Sequence, residues 1–399
     1  MIVGFDFGTH STKILYRKRH EETARVLVID EAVPGYPAFA SPALVRLDRG
    51  LLWFGSAAHK RTEGVLYRSL KVRLLGPGDE PDENYPLGPA PDLLIATYLT
   101  WAFQRVRAEL DKLFDADVRL NLSVPMDQFE EPRRKLRMLQ IVQAAWTIAN
   151  DSSEAAVQQG VELRLVQDRL RALMDGKVAD EGDRKFDVHP ETVAPIVSLS
   201  MDPRTAPGMY LIVDIGAGTT EVSINHSVES GVNHRVVCYF DESAPIGGDQ
   251  FSALNRFAAD KRQLQCELLA NRIVEICARV WACGYRKDAP NHLTRTRWRK
   301  LTILLSGGGA RHPAIRSAFE GSPRLLSHLK LCDVRCEVRT HSPVNVVLEP
   351  PLCTLQDLAL LVVAKGLTRE REKWPKVFNP PEVEPLQATE RADQAVPQW

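Results

Sequence analysis

Two short segments some two hundred residues apart carry the same set of reactive groups. Gly4–Tyr16 holds Asp6, Gly8, Thr9, His10, Ser11, Thr12 and Lys13, and Leu211–Ile224 holds Asp214, Gly216, Gly218, Thr219, Thr220 and Glu221. Each reads as an apolar strand, an Asp, a Gly/Thr-rich turn and a second strand. Glycine lets a turn bring its backbone N–H groups against an anion, and the hydroxyls add donors. A carboxylate is acceptor-only and suits a hard cation such as Mg2+, which keeps most of its waters. Asp6 and Asp214 are therefore the candidate Mg2+ residues. Thr9, His10, Ser11, Gly216, Gly218, Thr219 and Thr220 are candidate phosphate donors. One such hairpin in each half of the chain suggests two lobes gripping the phosphates of one nucleotide. Each residue also has a plainer reading: Asp caps turns, and Thr12 and Thr220 suit strands.

The elements that must position these groups alternate between strand and helix, which predicts an α/β architecture with covered sheets. Strands are expected at Ile2–Phe7, Ile14–Arg17, Val26–Ile29, Ala43–Leu47, Leu52–Phe54 and Val118–Val124. Pro77–Pro91 reads as a surface loop, after which Asp92 can cap a helix to about Phe114. Further helices are expected over Glu130–Ala149 and Glu154–Met174, the latter stopped by Gly176. In the second half, Met209–Asp214 and Leu301–Leu305 read as strands. Gly247–Asp260, Glu267–Trp281, Pro313–Phe319 and the apolar Leu355–Gly366 read as helices. The second of those strands runs into a third Gly-rich turn, Gly307-Gly308-Gly309, followed by Arg311. A triple glycine lets backbone approach a ribose or a flat ring, although tight strand–helix packing explains it about as well.

Bulk composition narrows the function. Lys+Arg and Asp+Glu are equal at 51 each, which argues against nucleic acid or a membrane surface as a main partner. The basic groups Arg133–Arg137 and Arg295–Lys300 read as solvated helix faces. No apolar run reaches the ~20 residues of a membrane span. The first strand starts at Ile2, so no signal peptide is expected. Seven cysteines, all from Cys238 onward and irregularly spaced, suit reduced thiols in the cytoplasm rather than disulfides or zinc.

Taken together, the three turns resemble those of the actin-like ATPase superfamily, and within it the nucleotide-binding domain of the 70-kilodalton heat-shock chaperones. Val3-Gly4-Phe5-Asp6-Phe7-Gly8-Thr9 is similar to the family's first phosphate motif, and Val213-Asp214-Ile215-Gly216-Ala217-Gly218-Thr219 to its second. Leu305-Ser306-Gly307-Gly308-Gly309-Ala310-Arg311-His312-Pro313 is similar to its adenosine motif. Ser69-Leu70-Lys71 through Gly76 resembles the segment with the catalytic lysine, Ser123-Val124-Pro125 through Phe129 the Val-Pro strand end, and His189-Pro190-Glu191 the segment with the catalytic glutamate. Pro245-Ile246-Gly247-Gly248 through Phe251 resembles the Gly-Gly turn. The resemblance covers roughly residues 1–368 and is patchy over 150–185 and 255–300.

What the resemblance implies is an ATP-binding, slowly hydrolysing, chaperone-like switch protein that acts on a protein partner. Lys71 would stabilise charge near the γ-phosphate, Glu191 would orient or deprotonate water, and Asp214 and Thr219 would share the catalytic work. Gly247, Gly248, Gly307, Gly308, Gly309 and Arg311 would line the nucleotide. The expected fold is two-lobed. Lobe I spans 1–207 with an extra helical insert at about 150–185, and lobe II spans 208–350. A helix at 351–368 returns to lobe I, and a flexible tail runs over 369–399. Two readings stay beside it: a nucleotide-dependent filament-forming actin-like protein, and a nucleotide-sensing scaffold without turnover. His10 stands where the family usually has a hydroxyl residue, and Ala217 where glycine is usual. No acceptor base of a sugar or acetate kinase is apparent.

Overall fold

A computed structural model describes residues 1–73, 89–113, 117–124, 132–151, 157, 159–179, 185–202, 205–228, 235–288, 298, 300–321, 335–340, 343–347, 355–369 and 376–378. Most of the expected loop at Pro77–Pro91, the strand end at Pro125–Phe129, part of the 150–185 insert, most of the basic group Arg295–Lys300 and most of the tail lie outside the described residues. The chain is α/β, with mixed sheets flanked by helices. It divides into two compact units, Met1–Ala194 with Asn345–Glu370, and Pro195–Val344 with Arg371–Trp399.

In the first unit the strands are β1 (Ile2–Phe7), β2 (Ser11–Arg17), β3 (Ala24–Val26), β4 (Ser41–Pro42), β5 (Val45–Asp48), β6 (Leu51–Phe54), β7 (Val65–Tyr67), β8 (Arg119–Val124), β9 (Val161–Glu162) and β10 (Phe186–Pro190). In the second they are β11 (Gly208–Ile215), β12 (Thr220–Val228), β13 (Arg235–Ala244), β14 (Lys300–Ser306) and β15 (Arg335–Thr340). Two late strands follow, β16 (Val346–Val347) in the first unit and β17 (Lys376–Phe378) in the second.

The main sheets of the two units repeat one topology. In the first, β10-β8-β1-β2-β3 lie in that order, with β10, β8 and β1 parallel and β1, β2 and β3 antiparallel. In the second, β15-β14-β11-β12-β13 follow the same order with the same directions. Parallel strands buried on both faces read as continuous apolar runs, and all six residues of β1 are buried. The first unit also carries a small antiparallel sheet, β7-β5-β6-β9.

Helices cover the sheets. Pro91–Asp111 starts with proline at its first turn, where no intrahelical N–H is lost. The expected Asp92 cap is corrected here: Ala90 holds the cap position, and Asp92, buried in the first turn, accepts from Arg137 Nε at 2.6 Å. Arg137 is thus partnered rather than solvated. The expected helix Glu154–Met174 begins only at Leu163. Gly160, with φ +76°, turns the chain into the short strand β9 against β6 before the helix can start. In the second unit the helix Ala259–Asp288 packs on β11–β13 through Ala270, Ile273, Val274 and Cys277. Among the described residues no helix is long and apolar enough to cross a membrane.

The late chain completes the first unit. A 3-10 turn, Leu355–Leu361, leads into the α-helix Val362–Leu367, which is buried against β1. The approach is so close that a Cβ on Gly4 would stand 2.1 Å from the Ala364 carbonyl oxygen. The helix's last carbonyls are satisfied by side chains. Arg17 Nε donates to Thr368 O at 2.9 Å, and Asn121 Nδ2 donates to Leu367 O at 2.8 Å. Of the tail expected to be flexible, Lys376–Phe378 instead forms β17, parallel to Arg235–Val237 of β13. An edge strand with unpaired backbone groups accepts such an addition, and the local Lys-Val-Phe composition gave too short an apolar signal to announce it.

Lys365 lies fully buried in the terminal helix, with Nζ donating to Glu22 O at 2.9 Å and Asn345 O at 3.4 Å. Burial, reinforced by the Arg17 charge, pushes its ammonium down to about 8 from 10.5, with Glu22 opposing. Below pH 8 the amine is protonated in both folded and unfolded chains, so the desolvation cost is borne in full. Between pH 8 and 10.5 the folded chain releases the proton first, so stability rises with pH there, by at most about 3 kcal/mol. The expected outcome is that wild-type stability by urea denaturation rises relative to Lys365→Met across this window. A constant difference between the two from pH 7 to 11 would refute it.

Candidate functional site

The carboxyl ends of parallel strands are where open α/β sheets present ligand-binding loops. Both sheets place an acid there. Asp6 sits near the end of β1 and Asp214 near the end of β11, each followed by the turn into the antiparallel neighbour. A serine from the adjacent parallel strand reaches each of them. Ser123 Oγ of β8 donates to Asp6 Oδ1 at 3.4 Å, and Ser306 Oγ of β14 donates to Asp214 Oδ1 at 2.8 Å. The Asp–Ser pair is thus duplicated along with the topology. Neither serine was singled out from the sequence as a site residue, because each reads simply as the end of an apolar strand.

The two sites differ in what stands across the hairpin. The β1–β2 register sets Lys13 opposite Asp6, and Lys13 Nζ donates to Asp6 Oδ2 at 2.9 Å. The β11–β12 register sets Glu221 opposite Asp214. Glu221 Oε1 accepts from Ser243 Oγ at 2.7 Å. Lys13 is a cation that the sequence alone disguised as a strand residue. Its ammonium also closes over the turn: a Cβ on Gly8 would stand 3.2 Å from Nζ and 2.5 Å from the Ser11 carbonyl oxygen. Within that turn Thr9 and Ser11 are buried and His10 is exposed.

The first unit holds a second pair of charges. Lys71 Nζ donates to Glu191 Oε2 at 2.5 Å, with both side chains almost wholly removed from solvent. Lys71 comes from the short helix Leu70–Arg73, entered through Ser69 at φ +54°. Glu191 follows directly on β10, and its N–H donates to Val124 O at the end of β8. The strand order β10-β8-β1 therefore lines up Glu191, Ser123 and Asp6 along one end of one sheet. Of the four residues singled out as catalytic, Lys71 and Glu191 are brought together in the first unit, and Asp214 and Thr219 lie in the second. A buried ion pair of this kind costs several kcal/mol per ion in desolvation, which the contact must offset.

In the second unit three glycine turns converge. The 216–219 turn closes with Gly216 N donating to Thr219 O, and the Gly247–Gly248 turn lies on it, with Gly248 N and Asp249 N donating to Gly216 O and Ala217 O, each at 2.8 Å. A Cβ at Gly247 would stand 2.2 Å from the Ala217 carbonyl oxygen. Gly307, with φ +81°, passes over Ile215 so closely that a Cβ would stand 2.8 Å from Asp214 Oδ1. Gly309 packs on Ile215, Gly308 is exposed, and Arg311 is exposed beside it. Thr220 is corrected as a phosphate donor. It is fully buried, and its hydroxyl donates to Ile246 O at 2.6 Å, so that donor is spent inside the fold. The amides of Gly248 and Asp249 are spent in the same way.

A bare-backbone cradle with an acid at its base suits a hydrated Mg2+ and phosphate. Among the described residues no three His, Cys, Asp or Glu side chains gather to hold a metal by themselves. One carboxylate per turn fits Mg2+, which retains waters, better than it fits zinc.

Downstream of the third turn, His312 accepts at Nδ1 from Ala314 N, stacks obliquely on Phe251 with ring centroids 4.7 Å apart, and places Nε2 3.9 Å from Cys266 Sγ. Burial holds its imidazole below the ordinary histidine range. A scan against protein-family models finds no match to this chain, and neither does a search of curated proteins.

Two substitutions test this geometry. Lys71→Ala leaves Glu191 buried without its cation and is expected to cost about 3–5 kcal/mol in urea denaturation. Replacing both residues by apolar ones of similar size recovers most of that loss, and a double variant as unstable as the single one would contradict the pairing. Gly247→Ala forces a Cβ into the Ala217 carbonyl and is expected to destabilise by about 1–3 kcal/mol.

Proposed function

We propose that this chain is an ATP-binding, slowly ATP-hydrolysing switch protein with the two-lobed actin-like fold, related in kind to the nucleotide-binding domain of the 70-kilodalton heat-shock chaperones and acting on a protein partner. The observation that carries this reading is the duplicated sheet. Each copy ends its first strand in an acid held by a serine and followed by a Gly/Thr turn. On this reading one Mg-nucleotide engages both turns. The difference between the copies then has a purpose: Lys13 makes the first turn suited to phosphate oxygens, while Glu221 leaves the second acidic and suited to the hydrated cation. Adenine as the base follows from the resemblance of the third turn.

The roles of the chain's own residues follow. Backbone N–H groups and the hydroxyls of Thr9, Ser11 and Thr219 bind phosphate oxygens. Lys13 neutralises charge at the first turn. Asp6 and Asp214 would hold Mg2+ through its waters, and the ion would supply charge neutralisation to the phosphates. Glu191 accepts a proton from, or orients, a water molecule, and Lys71 both stabilises developing negative charge and holds the Glu191 carboxylate in place. Contacts that depend on the γ-phosphate bias a two-state arrangement only by their energy difference between the states, so slow hydrolysis can time an interaction with a partner.

A second reading is a nucleotide sensor without turnover. The direct Lys71–Glu191 contact favours it, because each group then engages the other rather than water and phosphate.

Calorimetry with Mg-ATP is the first test, and absence of binding up to millimolar nucleotide overturns the proposal. Glu191→Gln is expected to lower turnover about 100-fold or more while ATP affinity stays within a few-fold. Wild-type binding with no turnover above the Glu191→Gln level would select the sensor.

A further inference from the structure

The turn that holds Thr9 and Ser11 also holds an exposed histidine, and an exposed histidine is ordinarily free to sample its rotamers. His10 is not. Its imidazole lies flat on the Tyr36 ring, with centroids 4.4 Å apart and planes 12° apart. Tyr36 in turn meets the edge of His59, with centroids 5.8 Å apart and planes at 85°. The three rings come from three elements: the β1–β2 turn, the loop before β4, and the last turn of the helix Gly55–Lys60. The loop is fixed where it presents Tyr36. Gly35 has φ +87°, Tyr36 N donates to Val33 O at 3.1 Å, and Ala40 N donates to Pro37 O at 2.9 Å. It is also tied to the turn itself, since Ala43 N donates to His10 O at 3.0 Å and β4 pairs with Ser11 and Thr12.

A parallel stack occupies the face of the imidazole and leaves its edge, which carries both nitrogens, out of the contact with Tyr36. We propose that Tyr36, braced by His59, is a positioning residue that holds the His10 ring edge toward a phosphate bound at Gly8–Ser11. The inference rests on the phosphate-binding role of that turn, and it explains how histidine serves where a short hydroxyl residue would need no support. Serine or threonine has one short rotatable side chain, whereas histidine must lose more freedom to present an N–H in one place. Stacking removes that freedom before the ligand arrives.

The test is a double-mutant cycle read by Mg-ATP affinity, with the thermal midpoint measured beside it. Tyr36→Ala is expected to weaken ATP binding about 3- to 10-fold, the worth of a stacked aromatic pair. Tyr36→Phe, which keeps the ring, restores affinity to within about two-fold. In a His10→Ala background, Tyr36→Ala costs nothing further. Equal losses with and without His10, or a loss that merely follows the thermal midpoint, overturn the positioning role.

A spectroscopic arm separates this inference from the nucleotide reading. The His10 imidazole protons should show an upfield ring-current shift that disappears in Tyr36→Ala, and they should move on titration with pyrophosphate. If ATP does not bind but pyrophosphate still moves the His10 signal, the nucleotide reading fails and the positioning role stands. A His10 signal unmoved by pyrophosphate and by ATP overturns the positioning role.

Discussion

Each sheet places a nearly buried carboxylate near the end of a strand, and strand order and register decide what surrounds it. Asp6 has Lys13 across the hairpin and Ser123 beside it, and Asp214 has Ser306 beside it and a turn of bare backbone above it. Strand order, register and serine placement set these neighbours. A one-residue slip between β1 and β2 would send Lys13 to the opposite face of the sheet and leave Asp6 without its cation. The register is held by apolar neighbours such as Phe5 and Ile14, which meet across the same ladder. Packing therefore fixes the electrostatics: apolar core residues decide which charges meet.

The duplicated plan carries unequal chemistry. Lysine stands opposite the acid in one copy and glutamate in the other. The duplication is therefore one of backbone plan and not of side-chain charge. The Lys71–Glu191 pair adds a third charge arrangement beside the first sheet, and the converging glycine turns belong to the second.

Much of this was legible in the residues because glycine and aspartate punctuate strands unmistakably. The hairpins at Gly4–Tyr16 and Leu211–Ile224 and the Gly307–Gly309 turn stand where their composition put them. What stayed hidden depended on register and on distant partners. Lys13 reads as one more strand residue until the ladder sets it across from Asp6. Thr220 reads as a donor until Ile246 takes its hydroxyl. The helix expected from Glu154 was displaced by one left-handed glycine, Gly160. β17 is three residues long and exists because β13 offers an open edge, which no local pattern foretells.

The seating of the helix Val362–Leu367 on Gly4 bears on how the chain is made. Among the described residues the helix Val362–Leu367 covers one face of β1 and β16 pairs with the outer edge of β3, so during synthesis the first unit waits for residues 345–369 while its apolar strand is already present. A pairing across some 360 residues also raises the sequence separation that folding must close, which slows the search and prolongs exposure of sticky surface. The molecule thus depends on its late-made segment at birth, and a ribosome stalled before that segment would release a first unit with its oldest strand uncovered.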